Sequence, residues 1–207
     1  MMPIVLVVLA YLLGSLSFSY WIVKAALGID VRTVGSRSAG ATNVLRTAGR
    51  GPAVLALALD VAKGVAAVAL ARYADVDTVV VGVAAVAVVC GHIYPIYSGF
   101  HGGKGVATAA GALGVLSPLV CISMLFVFAG VVAIWRYVSL GSILSALFFP
   151  LGLYLLSRFG WVESDGVGWL LLSSLAIALL IVFRHRENMV RLWQGSENKL
   201  GGSVAKT

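Results

Sequence analysis

Long apolar stretches separated by short polar loops make up most of this chain. Six apolar segments cover residues 2–23, 52–71, 78–97, 105–135, 138–157 and 168–183. A membrane-spanning helix takes about 20 apolar residues, and every segment except the fourth has the length of one span. The fourth, residues 105–135, is too long for one ordinary span, and Gly, Ser and Pro cluster within it at 114–118. The pattern predicts two helices there, with a turn between them.

The positions of the basic residues favour the same division. The chain has 15 Lys and Arg residues. If residues 105–135 form a helical hairpin, Arg72 and Arg158 lie in outer loops, Lys63 lies within a span, and all the other basic residues share one face. A single helix would instead place the tail from Arg184 opposite the first basic loop. Because basic loops stay cytoplasmic, we predict seven transmembrane helices, with the N-terminus outside and the C-terminus in the cytoplasm.

Composition agrees with an all-α polytopic membrane protein. Sixty per cent of the residues are hydrophobic and only 11% are charged, far from the balance of a water-soluble domain. We expect a single integral membrane domain over residues 1–207, whose apolar surface is covered by membrane lipids. The formal charge of +7 comes from residues in short loops. It therefore indicates topology and anion binding, and no nucleic acid is expected as a partner.

The first cytoplasmic loop is rich in small residues, hydroxyls and arginines. It reads GSRSAGATN over residues 35–43 and is followed by Arg46. Small side chains allow a ligand to approach the backbone, Ser36 and Thr42 can donate hydrogen bonds, and Arg46 can bind a phosphate with two parallel bonds. The alternative is a flexible loop whose arginines contact lipid headgroups.

The second polar stretch, GHIYPIYSGFHGGKGVAT over residues 91–108, places a lysine among glycines. Backbone N–H groups exposed by Gly102 and Gly103, together with the Lys104 ammonium, can form an oxyanion site. A nucleotide-binding phosphate loop would need Ser or Thr after its lysine, but Gly105 follows here. The alternative is a tight turn with a lysine at the headgroups. We interpret His92 as a structural residue.

The third stretch begins at Arg184 and reads RHREN. If the last helix continues through it, His185, Asn188 and Arg191 recur every third residue and share a face that could bind a polar headgroup. The alternative is a basic tail that only anchors the helix. Ser142 lies about one turn inside the cytoplasmic end of the sixth span and could reach a site formed by the loops.

The absence of certain residues and motifs excludes several kinds of catalytic site. Neither 31–51 nor 91–108 contains Asp or Glu, so a magnesium site is not expected. The chain has no Gly-x-Ser-x-Gly elbow, and no His is followed five residues later by Asp, as in acyl-thioester-dependent glycerolipid acyltransferases. Within the second span, Asp60 and Lys63 are three residues apart and can form a structural ion pair. The pattern indicates a metal-free site for phosphorylated molecules.

Three stretches of the chain resemble, in order and spacing, the cytoplasmic motifs of the bacterial acyl-phosphate-dependent glycerol-3-phosphate acyltransferases. They are GSRSAGATNVLRTAGR, GHIYPIYSGFHGGKGVAT and HRENMVRLWQGSENKLG. The resemblance implies a seven-helix enzyme of the bacterial inner membrane that makes lysophosphatidic acid, the first acylation of phospholipid synthesis. The family's first motif usually reads Gly-Ser-Gly-Asn-Pro-Gly-Ala-Thr-Asn. Here Arg37, Ser38 and Ala39 replace its Gly-Asn-Pro, and His101 stands where Lys is common.

The resemblance also implies two substrates, acyl phosphate and glycerol 3-phosphate, and no metal, cofactor or obligate protein partner. We assign acyl phosphate to Ser36, Gly40, Ala41, Thr42, Asn43, Gly102 and Gly103. We assign glycerol 3-phosphate to Arg46, Lys104, Ser142, His185 and Asn188. Of these, the residues expected to act in catalysis are Lys104, His185, Asn188 and Arg46. The glycerol hydroxyl can attack the mixed anhydride directly, and its proton passes either to His185 or to a substrate phosphate.

A transporter for anions or phosphate esters is the main alternative function. Transporters place binding residues and broken helices near the membrane midplane, usually between inverted repeats. Here the motifs are predicted at one face, and no internal repeat is visible. A purely structural membrane protein would leave the glycine-lysine loop unexplained.

Overall fold

The computed structural model describes residues 1–161 and 166–201, and all regular structure in these ranges is helical. The chain forms α1 (Met2–Gly14), α2 (Phe18–Leu27), α3 (Ala41–Ala48), α4 (Arg50–Tyr73), α5 (Thr78–Ile93), α6 (Val106–Leu116), α7 (Pro118–Trp135), α8 (Val138–Arg158), α9 (Val167–Arg184) and α10 (Arg186–Trp193). A short 3-10 helix, Ile96–Ser98, follows α5. The predicted all-α class is confirmed.

Six stretches of the described chain are long and apolar enough to cross a membrane. They are Met2–Leu27, Arg50–Tyr73, Thr78–Ser98, Pro118–Trp135, Val138–Arg158 and Val167–Arg184. The apolar helix α6 is shorter than these six. Together, the six spans and α6 are consistent with the predicted seven helices. The break predicted within 114–118 is confirmed, because α6 ends at Leu116 and α7 begins at Pro118. Proline suits this place, since the first turn of a helix does not need its N–H.

The first apolar segment forms one predicted span, but its helix is interrupted, a break that we did not predict. Helix α1 ends at Gly14 and α2 begins at Phe18. The Ser15 hydroxyl donates to the Tyr11 carbonyl (2.9 Å). The carbonyl groups of Gly14 and Leu16 accept hydrogen bonds from Lys63 of α4 (2.9 and 2.7 Å). A polar residue from a neighbouring helix therefore satisfies the backbone that the break exposes.

The chain divides into two compact units, Met1–Leu116 and Ser117–Thr207. Glycines allow close helix crossings in the first unit. A Cβ at Gly14 would overlap the Val88 carbonyl oxygen, so α1 can lie this close to α5 only because residue 14 is glycine. A Cβ at Gly64 would overlap the Thr108 carbonyl oxygen, so glycine there likewise lets α4 approach α6. Small residues at such crossings let backbones approach, which is the usual way helices pack in lipid. The prediction of one domain over 1–207 stays a prediction.

In the second unit, α8 packs against both α7 and α9. The Ser145 hydroxyl of α8 donates to the Met124 carbonyl of α7 (3.1 Å). Helix α9 ends at Arg184, and its last carbonyl groups accept the backbone N–H of His185. A separate short helix, α10, then begins at Arg186. The last helix therefore does not continue unbroken through the third motif, which was the condition for His185, Asn188 and Arg191 to share one helix face.

Candidate functional site

The first loop is shaped by the buried side chain of Asn43. Its Oδ1 accepts a hydrogen bond from the Ser36 N–H (2.9 Å). Its Nδ2 donates to the carbonyl groups of Val31 (2.8 Å) and Val34 (3.0 Å). Asn43 is only 1% exposed. The amide therefore serves the backbone of residues 31–36, a role that our assignment of Asn43 to acyl phosphate missed.

The rest of the first motif leads into the N-terminus of α3. Gly40 is the N-cap residue, in an extended conformation, and its carbonyl accepts from the N–H groups of Asn43 and Val44. The first N–H groups of a helix, here those of Ala41 and Thr42, have no partner within it and suit an anion. Arg46 is half-buried on the last turn of α3.

Arg37 of the first loop has an unusual backbone conformation. Its φ is 55°, in the left-handed region that a side chain rarely adopts. The family's usual residue at this position is glycine, which takes that conformation without strain. Arg37 therefore adopts, at some strain, a conformation that suits glycine better. Arg37 and Ser36 are both exposed.

The second loop folds back over the C-terminal end of α5. The N–H of Gly102 donates to the Ile93 carbonyl, and the N–H of Gly103 donates to the His92 carbonyl (both 3.2 Å). Lys104 follows, half-buried, and Gly105 turns the chain at φ +84° into α6. The lysine is therefore held two residues before a helix N-terminus, with a glycine on either side.

The structure brings the first and second motif loops into contact. A Cβ on Gly103 would lie 2.5 Å from the Ala39 carbonyl oxygen, so no larger residue fits there without movement. A second contact joins the segment before the first motif to the second loop, where Arg32 Nη1 donates to the Ser98 carbonyl (2.8 Å). Asp30 fixes that guanidinium through a salt bridge of 2.7 Å. The hydrogen bond from Arg32 and its charge lower the pKa of the Asp30 carboxyl.

The third motif lies in the second unit, where His185 occupies the junction of α9 and α10. Its Nδ1 is 2.8 Å from the Ile181 carbonyl oxygen, and the residue is 2% exposed. Because a carbonyl only accepts, we infer that Nδ1 carries a proton, so that in a neutral imidazole the lone pair would lie at Nε2. A lone pair at Nε2 is what a proton acceptor requires.

Glu197 organises the remainder of the third motif. One carboxylate oxygen, Oε1, accepts from Asn188 Nδ2 (2.7 Å) and from the Ser139 hydroxyl (2.9 Å). The other, Oε2, accepts from Arg191 Nε (2.8 Å). The tail is thereby tied both to α10 and to the start of α8. We predicted no role for Glu197, although a carboxylate in a basic tail was a signal for one.

Ser142 lies one turn further along α8 than Ser139. Its hydroxyl donates to the Val138 carbonyl (2.8 Å), and the residue is 3% exposed. Residues three apart share a helix face, so Ser142 lies on the side of α8 that faces the Glu197 carboxylate. Its predicted contact with glycerol 3-phosphate stays a prediction.

Replacing Glu197 by glutamine should loosen the tail. Burial alone would raise the pKa of Glu197, but hydrogen bonds from Asn188, Arg191 and Ser139 hold that pKa below its ordinary value. A lowered pKa stabilises the fold above the ordinary value, about 4.3, and this stabilisation is lost as pH falls through the folded value. We expect Glu197→Gln to lower the free energy of unfolding by roughly 2 kcal/mol at pH 7. The uncharged side chain loses the ion pair with Arg191, and its NH₂ group cannot accept the hydrogen bond that Arg191 Nε donates.

Acid unfolding of the purified protein in detergent measures this. Wild type should lose stability below about pH 4, and the difference between wild type and Glu197→Gln should shrink there. Glu187→Gln is the matched control, because Glu187 is exposed in the first turn of α10. It should change stability by less than about 0.5 kcal/mol. Equal stability of wild type and Glu197→Gln at pH 7 would contradict this role for the carboxylate.

Within residues 1–161 and 166–201, no group of three or more His, Cys, Asp and Glu residues is placed to hold a metal ion. The expectation of a site without metal or cofactor stays a prediction. His101 is exposed, with its Nδ1 2.6 Å from the Gly99 carbonyl oxygen. Arg186 is exposed as well and lies over the Phe183 ring.

Comparison with known proteins relates the chain to one family. Residues 4–195 match the family model described as glycerol-3-phosphate acyltransferase. A glycerol-3-phosphate acyltransferase of Halalkalibacterium halodurans is 47% identical over 204 residues, covering 95% of this chain and 94% of that protein. One from Clostridioides difficile is 40% identical over 203 residues, covering 96% and 95%.

Two solved structures are also similar to the chain. Both are crystal structures of PlsY (YgiH), described as an integral membrane glycerol 3-phosphate acyltransferase. Its glycerol 3-phosphate form has a TM-score of 0.87 and 39% identity, covering 97% of this chain and 96% of that one. Its lysophosphatidic acid form has a TM-score of 0.84 and 37% identity, with the same coverage.

Proposed function

The chain belongs to the glycerol-3-phosphate acyltransferase family of integral membrane enzymes, and from that premise we propose its donor and product. The donor is acyl phosphate, and the products are lysophosphatidic acid and inorganic phosphate. The name of the family places the reaction in phospholipid synthesis. A solved relative described in a lysophosphatidic acid form supports this product.

The observation that carries the proposal is the contact between the first and second motif loops at Ala39 and Gly103. It brings the N-terminal approach to α3 beside the loop that carries Lys104. A helix N-terminus and a lysine both favour anions. Two substrates that each carry a phosphate need such a positive site, because their charges repel each other.

The chemistry needs no covalent enzyme intermediate. The glycerol hydroxyl oxygen forms a bond with the acyl carbonyl carbon, and the bond from that carbon to the phosphate oxygen breaks. Phosphate leaves with the bonding pair. The hydroxyl proton goes either to His185 Nε2 or to a substrate phosphate. The protein's contribution is to hold both substrates together and to stabilise the charge that develops on the carbonyl oxygen and the departing phosphate.

Residue roles follow from this placement. Ser36 and the N–H groups at Gly40–Thr42 bind acyl phosphate, and Asn43 acts by shaping their loop. The N–H groups of Gly102 and Gly103, which we expected to be exposed, donate to the Ile93 and His92 carbonyls. These glycines therefore contribute by letting the two loops approach each other. Arg46 and Lys104 bind glycerol 3-phosphate, and Lys104 also neutralises the leaving phosphate. We propose three further ligands of glycerol 3-phosphate from the resemblance of the sequence to the family: Ser142, His185 and Asn188.

A donor assay tests the proposal. Purified wild-type protein receives labelled glycerol 3-phosphate with either a long-chain acyl phosphate or the matching acyl thioester, with and without a chelator of divalent metals. We expect lysophosphatidic acid from acyl phosphate alone, at a rate that the chelator leaves unchanged. Product from the thioester only would overturn the proposed donor. Loss of activity with the chelator, restored by magnesium, would overturn the metal-free site.

We further propose a location in the bacterial inner membrane, with the N-terminus outside and the motif loops in the cytoplasm. Labelling of single cysteines in whole cells with an impermeant thiol reagent tests this. Asn198→Cys should stay unlabelled until the cells are opened, whereas Asp75→Cys, in the loop between α4 and α5, should be labelled in intact cells. Labelling of position 198 from outside would refute the cytoplasmic tail.

A further inference from the structure

A buried polar network lies within the first unit, behind the second motif loop. Asp60 and Lys63 of α4 form a salt bridge of 3.0 Å, with side chains 2% and 1% exposed. His92 of α5 places its Nδ1 3.4 Å from Asp60 Oδ1 and 3.1 Å from the Thr108 hydroxyl of α6. Side chains of two other helices, α4 and α6, therefore contact one edge of the imidazole ring.

The other edge of the ring faces the glycine loop. A Cβ built on Gly103 would overlap His92 Nε2 on one side and the Ala39 carbonyl oxygen on the other. The Gly103 N–H also donates to the His92 carbonyl (3.2 Å). His92 thus contacts the residue that precedes Lys104 through both its backbone and its ring.

We propose that His92 is a positioning residue for the loop Gly102–Gly105. Asp60 and Thr108 fix the imidazole plane, and the ring sets the position of Gly103, which determines where Lys104 presents its ammonium. This inference rests on the proposed function of Lys104. A displacement of about 1 Å at such a group can lower a rate about 100-fold.

Packing alone does not account for a histidine here. Buried ionisable groups in a membrane span are costly, and apolar residues of similar volume usually give equal or greater stability. An apolar ring such as Phe would fill the space below Gly103 but could not bond to Asp60 or Thr108. The ring of His92 combines a polar edge toward the network with a second edge that reaches the loop.

Two side chains that differ by one methylene separate positioning from packing. Asn at position 92 places its amide near the Nδ1 position, so contacts with Asp60 and Thr108 can persist, but it ends short of Gly103. Gln extends to the Nε2 position. For His92→Asn we expect hydrogen exchange at the Gly102 and Gly103 amides to rise about tenfold or more. We expect kcat to fall about 10- to 100-fold, with a smaller change in KM for glycerol 3-phosphate.

In His92→Gln, exchange at Gly102 and Gly103 should be slower and kcat higher than in His92→Asn. We expect this even where the thermal midpoint of His92→Gln is no higher than that of His92→Asn. Val68→Ala is the matched control, since Val68 is a fully buried residue of α4 outside the network. It should lower the thermal midpoint and leave loop exchange and kcat within about threefold of wild type.

Three results would overturn the proposal. Unchanged exchange at Gly102 and Gly103 in His92→Asn would show that the ring does not hold the loop. Faster exchange with unchanged kcat would show that holding the loop does not matter for turnover. Activity that follows only the thermal midpoint across all variants would indicate a packing role. Exchange needs no substrate, so failure of wild type to use acyl phosphate would refute the proposed function and leave the exchange result valid.

Discussion

Lys104→Ala is expected to lower turnover about 100- to 1000-fold. Lys104 lies between Gly103 and Gly105, at the approach to α6 and beside the contact of the first two motif loops. Its loss removes one charge-assisted contact, worth about 1.5–3 kcal/mol, and it also uncovers the repulsion between two phosphate groups. Steady-state kinetics with acyl phosphate and glycerol 3-phosphate at saturating concentrations measure the effect.

The controls for Lys104 are conservative and distant changes. Lys104→Arg should recover only part of the activity, because a planar guanidinium is larger than the ammonium and is held in a turn of glycines. Arg184→Ala and Arg186→Ala, which we interpret as headgroup contacts, should each cost less than about tenfold. Every variant must first purify as helical membrane protein. Near-normal turnover of Lys104→Ala would mean that the loop is a structural turn and its lysine a lipid anchor.

The spans were predictable because the apolar pattern alone determines which segments can lie in lipid. The break between Leu116 and Pro118 could also be predicted, since Gly, Ser and Pro mark it locally. The spacing of Asp60 and Lys63 predicted their ion pair, which is confirmed at 3.0 Å. Each of these features depends on residues close together in the sequence.

Features that depend on distant residues were missed. The break after Gly14 is satisfied by Lys63, 49 residues away, and nothing in the apolar run announces it. Glu197 binds Ser139, 58 residues away, so its role depends on how α8 packs. Asn43 looked like a ligand residue because its motif is polar, yet its amide bonds to the backbone of its own loop. A polar residue in a motif can either bind a ligand or hold the loop that does.

Lys63→Met should strongly destabilise the first unit. Its Nζ pairs with Asp60 and donates to the carbonyl groups of Gly14 and Leu16. Methionine keeps the length of the side chain but leaves a buried carboxylate without its cation and two backbone carbonyls without their donor. Removing one partner of a buried pair costs about 3–5 kcal/mol. Unfolding of purified protein in mixed micelles, with helicity as the signal, measures the free energy.

Two further variants separate the charge from the backbone contribution. Lys24→Met is the matched control, since Lys24 is exposed and donates to the Gly28 carbonyl. It should cost less than about 0.5 kcal/mol. Asp60→Leu combined with Lys63→Met leaves no unpaired charge, so it should be more stable than Lys63→Met alone. It should stay below wild type, because the Gly14 and Leu16 carbonyls still lack the ammonium. A Lys63→Met variant within about 1 kcal/mol of wild type would show that water or lipid headgroups satisfy the break instead.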